Sequence, residues 1–515
     1  MTWHAVRSVV FQRWIPLTAS HDASKRTGSA SFLFFAPLCL LLLSCQSGRA
    51  QALSARLSVV TLTEPARIRV EGNYAPGSEA WSFRNTYGRV TGLGNRIQNL
   101  SLADASGVNV AVRKVGPGEF RSDHAATHFT YEVSLGQPLN PADAAHISTL
   151  NDSHGYLMLA DLLPDFQATG IRVGFQLPEA WHIASSAAES SRGWYDLPDP
   201  ANAVFFLGRN LREKRKAVGA TEFVLVTEGE WPIAGNAVTE IAAKIIKDHT
   251  RHVGFDPKAR VVLMLAPFPG LVGSERWSAE TRGSNVVLIV GRNSPANTLL
   301  GQLSVVLSHE LLHVWVPNSL SLNGDYDWFF EGFTLYQALR CAVRLGFISF
   351  QEYLDTLGRV YDSYLATPER DRLSLVEASR RRWTIGSSLV YDKGMLVAFL
   401  CDLKLREAGR NGRSLDDVYQ ELFRSFPKGR RADGNEALIS ILNQQVGNEQ
   451  FTGRYIQTSG SIDLETILPL YGIEVRDSGR LKRLLVDDGI TNEQRDLLVS
   501  LGYRRPRRQA SLHLR

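Results

Sequence analysis

The feature that most constrains this chain is the string His309-Glu310-Leu311-Leu312-His313, set inside the apolar-periodic segment Leu299 to Val316. That periodicity predicts a helix, and residues four apart on a helix share one face. Both imidazoles can then reach one zinc ion, with Glu310 between them close enough to polarise a water. A lone histidine on a helix face is more often hydrogen-bonded than a metal ligand, so the string calls for partners elsewhere.

Two are present. In Trp328-Phe-Phe-Glu-Gly-Phe-Thr334, just after the loop that ends the first helix, Glu331 stands amid bulky apolar residues. An uncompensated carboxylate there costs on the order of several kcal/mol, and a metal would compensate it. A second helix returning antiparallel to the first brings Glu331 to the zinc as third ligand beside His309 and His313, one ion per chain. The fourth position stays open, as catalysis demands. The competing reading of Glu331 is a carboxylate favoured by a helix N-terminus. Further on, Val390-Tyr391-Asp392-Lys393-Gly394 begins the next apolar helix, from which the Tyr391 hydroxyl can donate to the oxyanion of a tetrahedral intermediate. The competing reading is a tyrosine packed on the helix start.

At 515 residues the chain is about three times a typical domain, so two or three packed units are expected. From Leu53 to Leu225 it alternates with period two between turn signals, as in Val108 to Val112 and Phe129 to Leu135, which predicts a β-rich N-terminal domain over 53–230. Near Trp231 the pattern turns helical, with Val238, Ile241, Ala242, Ile245 and Ile246, and marks a boundary. Two apolar strands, Val261 to Ala266 and Val286 to Val290, precede a long helical stretch that starts near Pro295. The metal residues therefore fall in an α/β unit over 231–345. A helical domain over 346–475 follows, with Ser414 and Asp417 as a capping box, and then a tail over 476–515. The fold class is α+β and multidomain.

The formal charge of +5 contains +3 from Arg7, Arg13, Lys25 and Arg26 against Asp22, which leaves 53 basic and 51 acidic residues from Cys45 onward. Basic clusters at Arg380 to Arg382 and Arg504 to Arg508 lack interleaved aromatics or a nucleic-acid-binding motif, so they read as a solvated face and a frayed tail, and no nucleic-acid partner is expected. Residues 1–52 carry a basic region and then Phe32 to Leu43, too short to span a bilayer, which together predict an export signal. Leu42-Leu43-Ser44-Cys45 resembles a bacterial lipobox, and a lipid on Cys45 would be the one membrane attachment. Cleavage at Ala50-Gln51-Ala52 would instead release the protein into the periplasm. Beyond the signal only Cys341 and Cys401 remain, too few for a disulfide framework, and both read as small buried side chains.

The strings HELLHVW, WFFEGFTLY, VYDKGMLVAFLCDLKLRE and GRSLDDVYQELF together resemble the glycyl aminopeptidase family of zinc metallopeptidases, itself related to the aminopeptidase N family. Tyr74 to Ser78 and Ala80 to Val90 resemble that family's β-domain, so the resemblance spans roughly residues 55 to 475. It implies a thermolysin-like α/β catalytic domain over 231–345, with His309, His313 and Glu331 as zinc ligands, Glu310 as base and acid, and Tyr391 as transition-state donor. It implies a peptide or protein substrate and a preference for small N-terminal residues. These families hold the substrate's free amine with a glutamate upstream of the zinc helix, and the candidate here is Glu275 in Gly270 to Trp277. The chain departs from the family at Val316, where asparagine is usual. An endopeptidase of the same fold and a peptide-binding surface lipoprotein without activity are the alternatives.

Overall fold

The computed structural model describes residues 52–504, apart from positions 167, 169, 271, 274, 275, 292–294 and 480. The segment expected to act as an export signal, with Cys45, and the candidate Glu275 lie outside the described residues. The rest is an α+β chain whose β-rich N-terminal part leads through a mixed sheet into helices.

In the N-terminal part the alternation of the sequence becomes a nine-stranded sheet, whose centre is Ala52–Thr61, Arg67–Ser82 and Glu119–Ser134 paired antiparallel. Inward residues such as Leu53, Ala55, Leu57, Val70, Tyr131 and Val133 are buried, and the side chains alternating with them lie on the other face. A second sheet of four strands includes His154–Met158 and Val204–Gly208. Its Tyr156, Met158 and Phe206 pack on Val224, Val226, Val262 and Met264, so one apolar layer joins it to the next unit.

That next unit is a five-stranded sheet in the order Leu211–Val218, Thr221–Glu228, Arg260–Pro267, Asn285–Val290, Trp277–Arg282. Thr221–Glu228, Arg260–Pro267 and Asn285–Val290 run parallel, with helix Gly235–Val253 as the first crossover; Trp277–Arg282 is an antiparallel edge. The sheet thus starts near Leu211 and not at Trp231. The change of period near Trp231 marks the first helix, whereas the preceding hairpin has the same period-two pattern as the N-terminal strands. The expected strands at Val261 and Val286 are both present in the sheet.

Helix Ala296–Glu310 follows Pro295, whose extended backbone precedes the first turn, and its Leu299, Leu303 and Leu307 are buried. The predicted helix does not run unchanged to Val316: Leu311–Val314 tightens into a 3-10 turn. Helices then dominate, among them Thr334–Arg344, Phe350–Leu365, Gly394–Ala408 and Leu415–Ser425. The capping box at Ser414 and Asp417 is formed, and two others stand at Ser349 with Glu352 and at Ser374 with Glu377. The stretch beyond 475 is not a free tail. A hairpin, Ile473–Ser478 and Leu481–Val486, lies so close to Phe350–Leu365 that a Cβ on Gly358 would meet the Lys482 carbonyl oxygen at 2.5 Å. Helix Asn492–Ser500 adds buried Leu497 and Leu498 to the same core. Too short for a core of its own, this segment completes that of the helical domain. Cys341 and Cys401 are both buried and unbridged. No helix among the described residues is long and apolar enough to cross a membrane.

Candidate metal centre

The end of helix Ala296–Glu310 and the turn after it set His309 and His313 side by side, Nε2 to Nε2 at 3.1 Å. Glu331 arrives from Trp328–Phe333, a stretch of wide π-helical turns that runs into helix Thr334–Arg344. Its Oε2 lies 3.5 Å from His309 Nε2 and 3.7 Å from His313 Nε2. One ligand atom from each of the three residues lies within 4.8 Å of the others, and all three residues are buried. Two imidazole nitrogens and one carboxylate oxygen are a donor set that suits zinc.

His313 Nδ1 lies 3.0 Å from the Val316 carbonyl oxygen. A proton on Nδ1 donates there and leaves the Nε2 lone pair for a metal. The departure from the family at Val316 is therefore without effect on this contact, because a main-chain atom makes it. Burial, and then the neighbouring His309, lower the pKa of His313, so the neutral form that binds metal is favoured. Glu310 is 1 % exposed, and its Oε2 lies 2.8 Å from the Thr281 hydroxyl. That hydroxyl is also 3.0 Å from the Glu310 carbonyl oxygen. The edge strand Trp277–Arg282 thus seats the candidate base from outside its own helix.

Tyr391 comes from a second π-helical segment, Leu389–Lys393, which crosses the first where Gly332 and Gly394 meet. Between them lies Arg382. Its Nη2 is 2.5 Å from Glu331 Oε1 and 2.6 Å from the Tyr391 hydroxyl, and its Nη1 is 2.7 Å from Asp327 Oδ1. Burial works to lower the pKa of Arg382, but Tyr391, Glu331 and Asp327 outweigh it and hold the guanidinium charged. The expectation that Arg380 to Arg382 form one solvated face is corrected here. Arg380 and Arg381 are exposed, while the side chain of Arg382 keeps 10 % of its surface and lies under the Trp383 ring at 4.3 Å. Nothing local in three successive arginines marks the one that turns inward. The tryptophan that follows is the nearest signal.

Sequence reasoning also missed Thr281 and its neighbour Glu280. Side chains alternate along a strand, so Glu280 projects from the opposite face to Thr281. There the N-terminal part closes on it: the Tyr87 hydroxyl donates to Glu280 Oε1 at 2.5 Å, and His146 Nε2 lies 3.5 Å from Oε2. The Tyr87 ring is 6.1 Å from that of Trp383, so a chain of contacts runs from Glu280 through Tyr87 and Trp383 to Arg382 and the metal centre.

Residues 302–397 match the model of the M61 glycyl aminopeptidase family. Among solved structures, an aminopeptidase N family protein from Idiomarina loihiensis superposes with a TM-score of 0.72 at 17% identity, over 83% of this chain and 79% of that one. An M1 zinc metallopeptidase variant from Deinococcus radiodurans, bound to a Tyr-Ser-Ala substrate, gives a TM-score of 0.53 at 16% identity, over 80% of this chain and 95% of that one. The same enzyme without the substitution gives 0.52 at 16% identity, over 81% and 95%. No curated protein matches the chain. Residues 302–397, which carry the metal residues and Tyr391, are thus similar to the glycyl aminopeptidases, and the fold of the chain is like that of an aminopeptidase N family protein.

Proposed function

We propose that this chain is a zinc-dependent aminopeptidase acting on peptides with small N-terminal residues. The observation that carries the reading is the buried convergence of His309, His313 and Glu331 beside Glu310 and Tyr391. The match to the glycyl aminopeptidases supports it. Zinc held by His309, His313 and Glu331 would supply Lewis acidity toward the scissile carbonyl and the attacking water near neutral pH. Glu310, seated by Thr281, takes the proton of the attacking water and passes it to the leaving amine. Tyr391 donates to the oxyanion as it forms.

An aminopeptidase also needs an acceptor for the substrate's ammonium group. Glu275 remains one candidate. Glu280 has the better support: its side chain leaves the edge strand on the face opposite Thr281, where it connects to the metal centre through Tyr87, Trp383 and Arg382. Glu280→Gln should raise KM for peptides with a free amine by about tenfold or more while zinc stays bound, as expected for loss of a charged contact of about 1.5 kcal/mol or more; unchanged KM would return the role to Glu275. Export to the bacterial periplasm, with or without lipid on Cys45, completes the reading, and loss of fatty-acid labelling in Cys45→Ala would identify the lipidated form.

The decisive test is incubation with free and N-acetylated peptide libraries, with and without chelator. Chelator-sensitive cleavage of free peptides alone is the expected result. Cleavage of both sets would make the protein an endopeptidase, and cleavage of neither would leave a peptide-binding protein.

A further inference from the structure

We propose that Arg382 is a positioning residue for the reaction: one guanidinium nitrogen orients the ligand Glu331 and the donor Tyr391 together. The inference rests on the zinc peptidase reading and goes beyond it. Nη2 of an arginine carries two hydrogens, and it has two acceptors here, Glu331 Oε1 at 2.5 Å and the Tyr391 oxygen at 2.6 Å. With Oε1 held from behind, Glu331 presents Oε2 to the two imidazoles, the side on which the distances of 3.5 and 3.7 Å are found. With one lone pair of Tyr391 engaged by Arg382, the hydroxyl proton cannot point at the arginine and the phenol oxygen is held beside Glu331.

The guanidinium is itself fixed. Nη1 donates to Asp327, the Trp383 ring covers it at 4.3 Å, and Phe330 and Tyr391 rings stand at 5.5 Å. Its planar fork meets three acceptors at once, which a lysine ammonium on a flexible stem cannot reproduce. Arg382 thereby links Trp328–Phe333, which carries the third ligand, to Leu389–Lys393, which carries the donor. An ordered ligand and an ordered donor then depend on one side chain that is itself neither of the two.

The test uses Arg382→Met, Arg382→Lys and Arg382→Ala in the full chain, with zinc affinity measured by chelator competition and kcat and KM measured separately. Loss of an outer partner of a metal ligand typically weakens the metal 10- to 100-fold, so Arg382→Met should do so. At saturating zinc its kcat should fall roughly 100-fold with KM within threefold, as for loss of an oriented oxyanion donor. Arg382→Lys should recover part of the zinc affinity and little of the kcat. Millimolar guanidinium should restore kcat to Arg382→Ala, which a general packing role would not allow. In a Tyr391→Phe background, Arg382→Met should cost kcat less than tenfold, because its effect on turnover passes through that hydroxyl. Parental zinc affinity and kcat in both the Met and Lys variants, or no guanidinium rescue together with additive losses in the double variant, would overturn the proposal. A parent protein that binds no zinc would refute the peptidase reading itself, and this proposal with it.

Discussion

The crossing of the two segments that carry Glu331 and Tyr391 has no room for a methyl group, and Gly332→Ala measures how much the site depends on it. A Cβ at Gly332 would stand 2.6 Å from Gly394 Cα and 2.7 Å from both the Gly394 carbonyl carbon and the Val390 carbonyl oxygen. All three are main-chain atoms, so no rotamer change relieves the overlap. Ordinary carbon contacts are about 3.5–4.0 Å, and the segments must therefore separate by roughly 1 Å. Overpacking of that kind costs roughly 1–3 kcal/mol. A displacement of about 1 Å between catalytic groups costs on the order of 100-fold in rate. Gly332→Ala should accordingly lower Tm and cut kcat about 100-fold when measured at saturating zinc, which both histidines still bind. Gly453 is the control: it has helical backbone, and a Cβ there meets nothing within 4 Å. Gly453→Ala should be neutral or stabilising by about 0.4–1 kcal/mol. Parental Tm and kcat in Gly332→Ala would refute the argument that glycine contact sets the Glu331 to Tyr391 geometry.

What could be read in advance was what local periodicity and side-chain chemistry encode. Two histidines four apart in an apolar stretch imply a shared face, and a carboxylate among Trp328, Phe329, Phe330 and Phe333 needs a partner wherever the chain folds. The strands at Val261 and Val286 were legible because continuous apolar runs suit a buried parallel sheet. Pairing was not legible. The strands from Leu211 to Glu228 have the alternation of the N-terminal sheet, but they pair with each other and Thr221–Glu228 pairs with Arg260–Pro267, and no residue of theirs states which sheet they join. The hairpin after Ile473 was hidden for a related reason, since its apolar residues are few and its core belongs to Phe350–Leu365. Arg382, Thr281 and Glu280 were missed because each acts across a tertiary contact, to a partner 51, 29 and 193 residues away. Such contacts leave no periodic trace.

Other expectations follow from the same geometry. His313→Ala should lose zinc, and Glu310→Gln should keep it while turnover falls by several decades, on the order expected when proton transfer and water activation fail together; metal analysis beside kcat separates the two, and full zinc in His313→Ala would sink the ligand assignment. Tyr391→Phe should lower kcat by roughly two to three decades with little change in KM, because the donor acts mainly in the transition state; a kcat within threefold of the parent at full zinc would reject it. His249 ties acid stability to the metal helix: its Nε2 lies 2.9 Å from the carbonyl oxygen of Ser308, the residue before His309, and burial pulls its pKa from 6.5 to about 4. Between those values the unfolded chain binds the proton that the folded chain refuses, so stability should fall as pH drops from 6.5 toward 4, by on the order of 3 kcal/mol from this group. Gln at this position can still donate to Ser308 and does not titrate; if the zinc-free His249→Gln variant loses as much stability over that range as the parent does, His249 is not the group that unseats the helix.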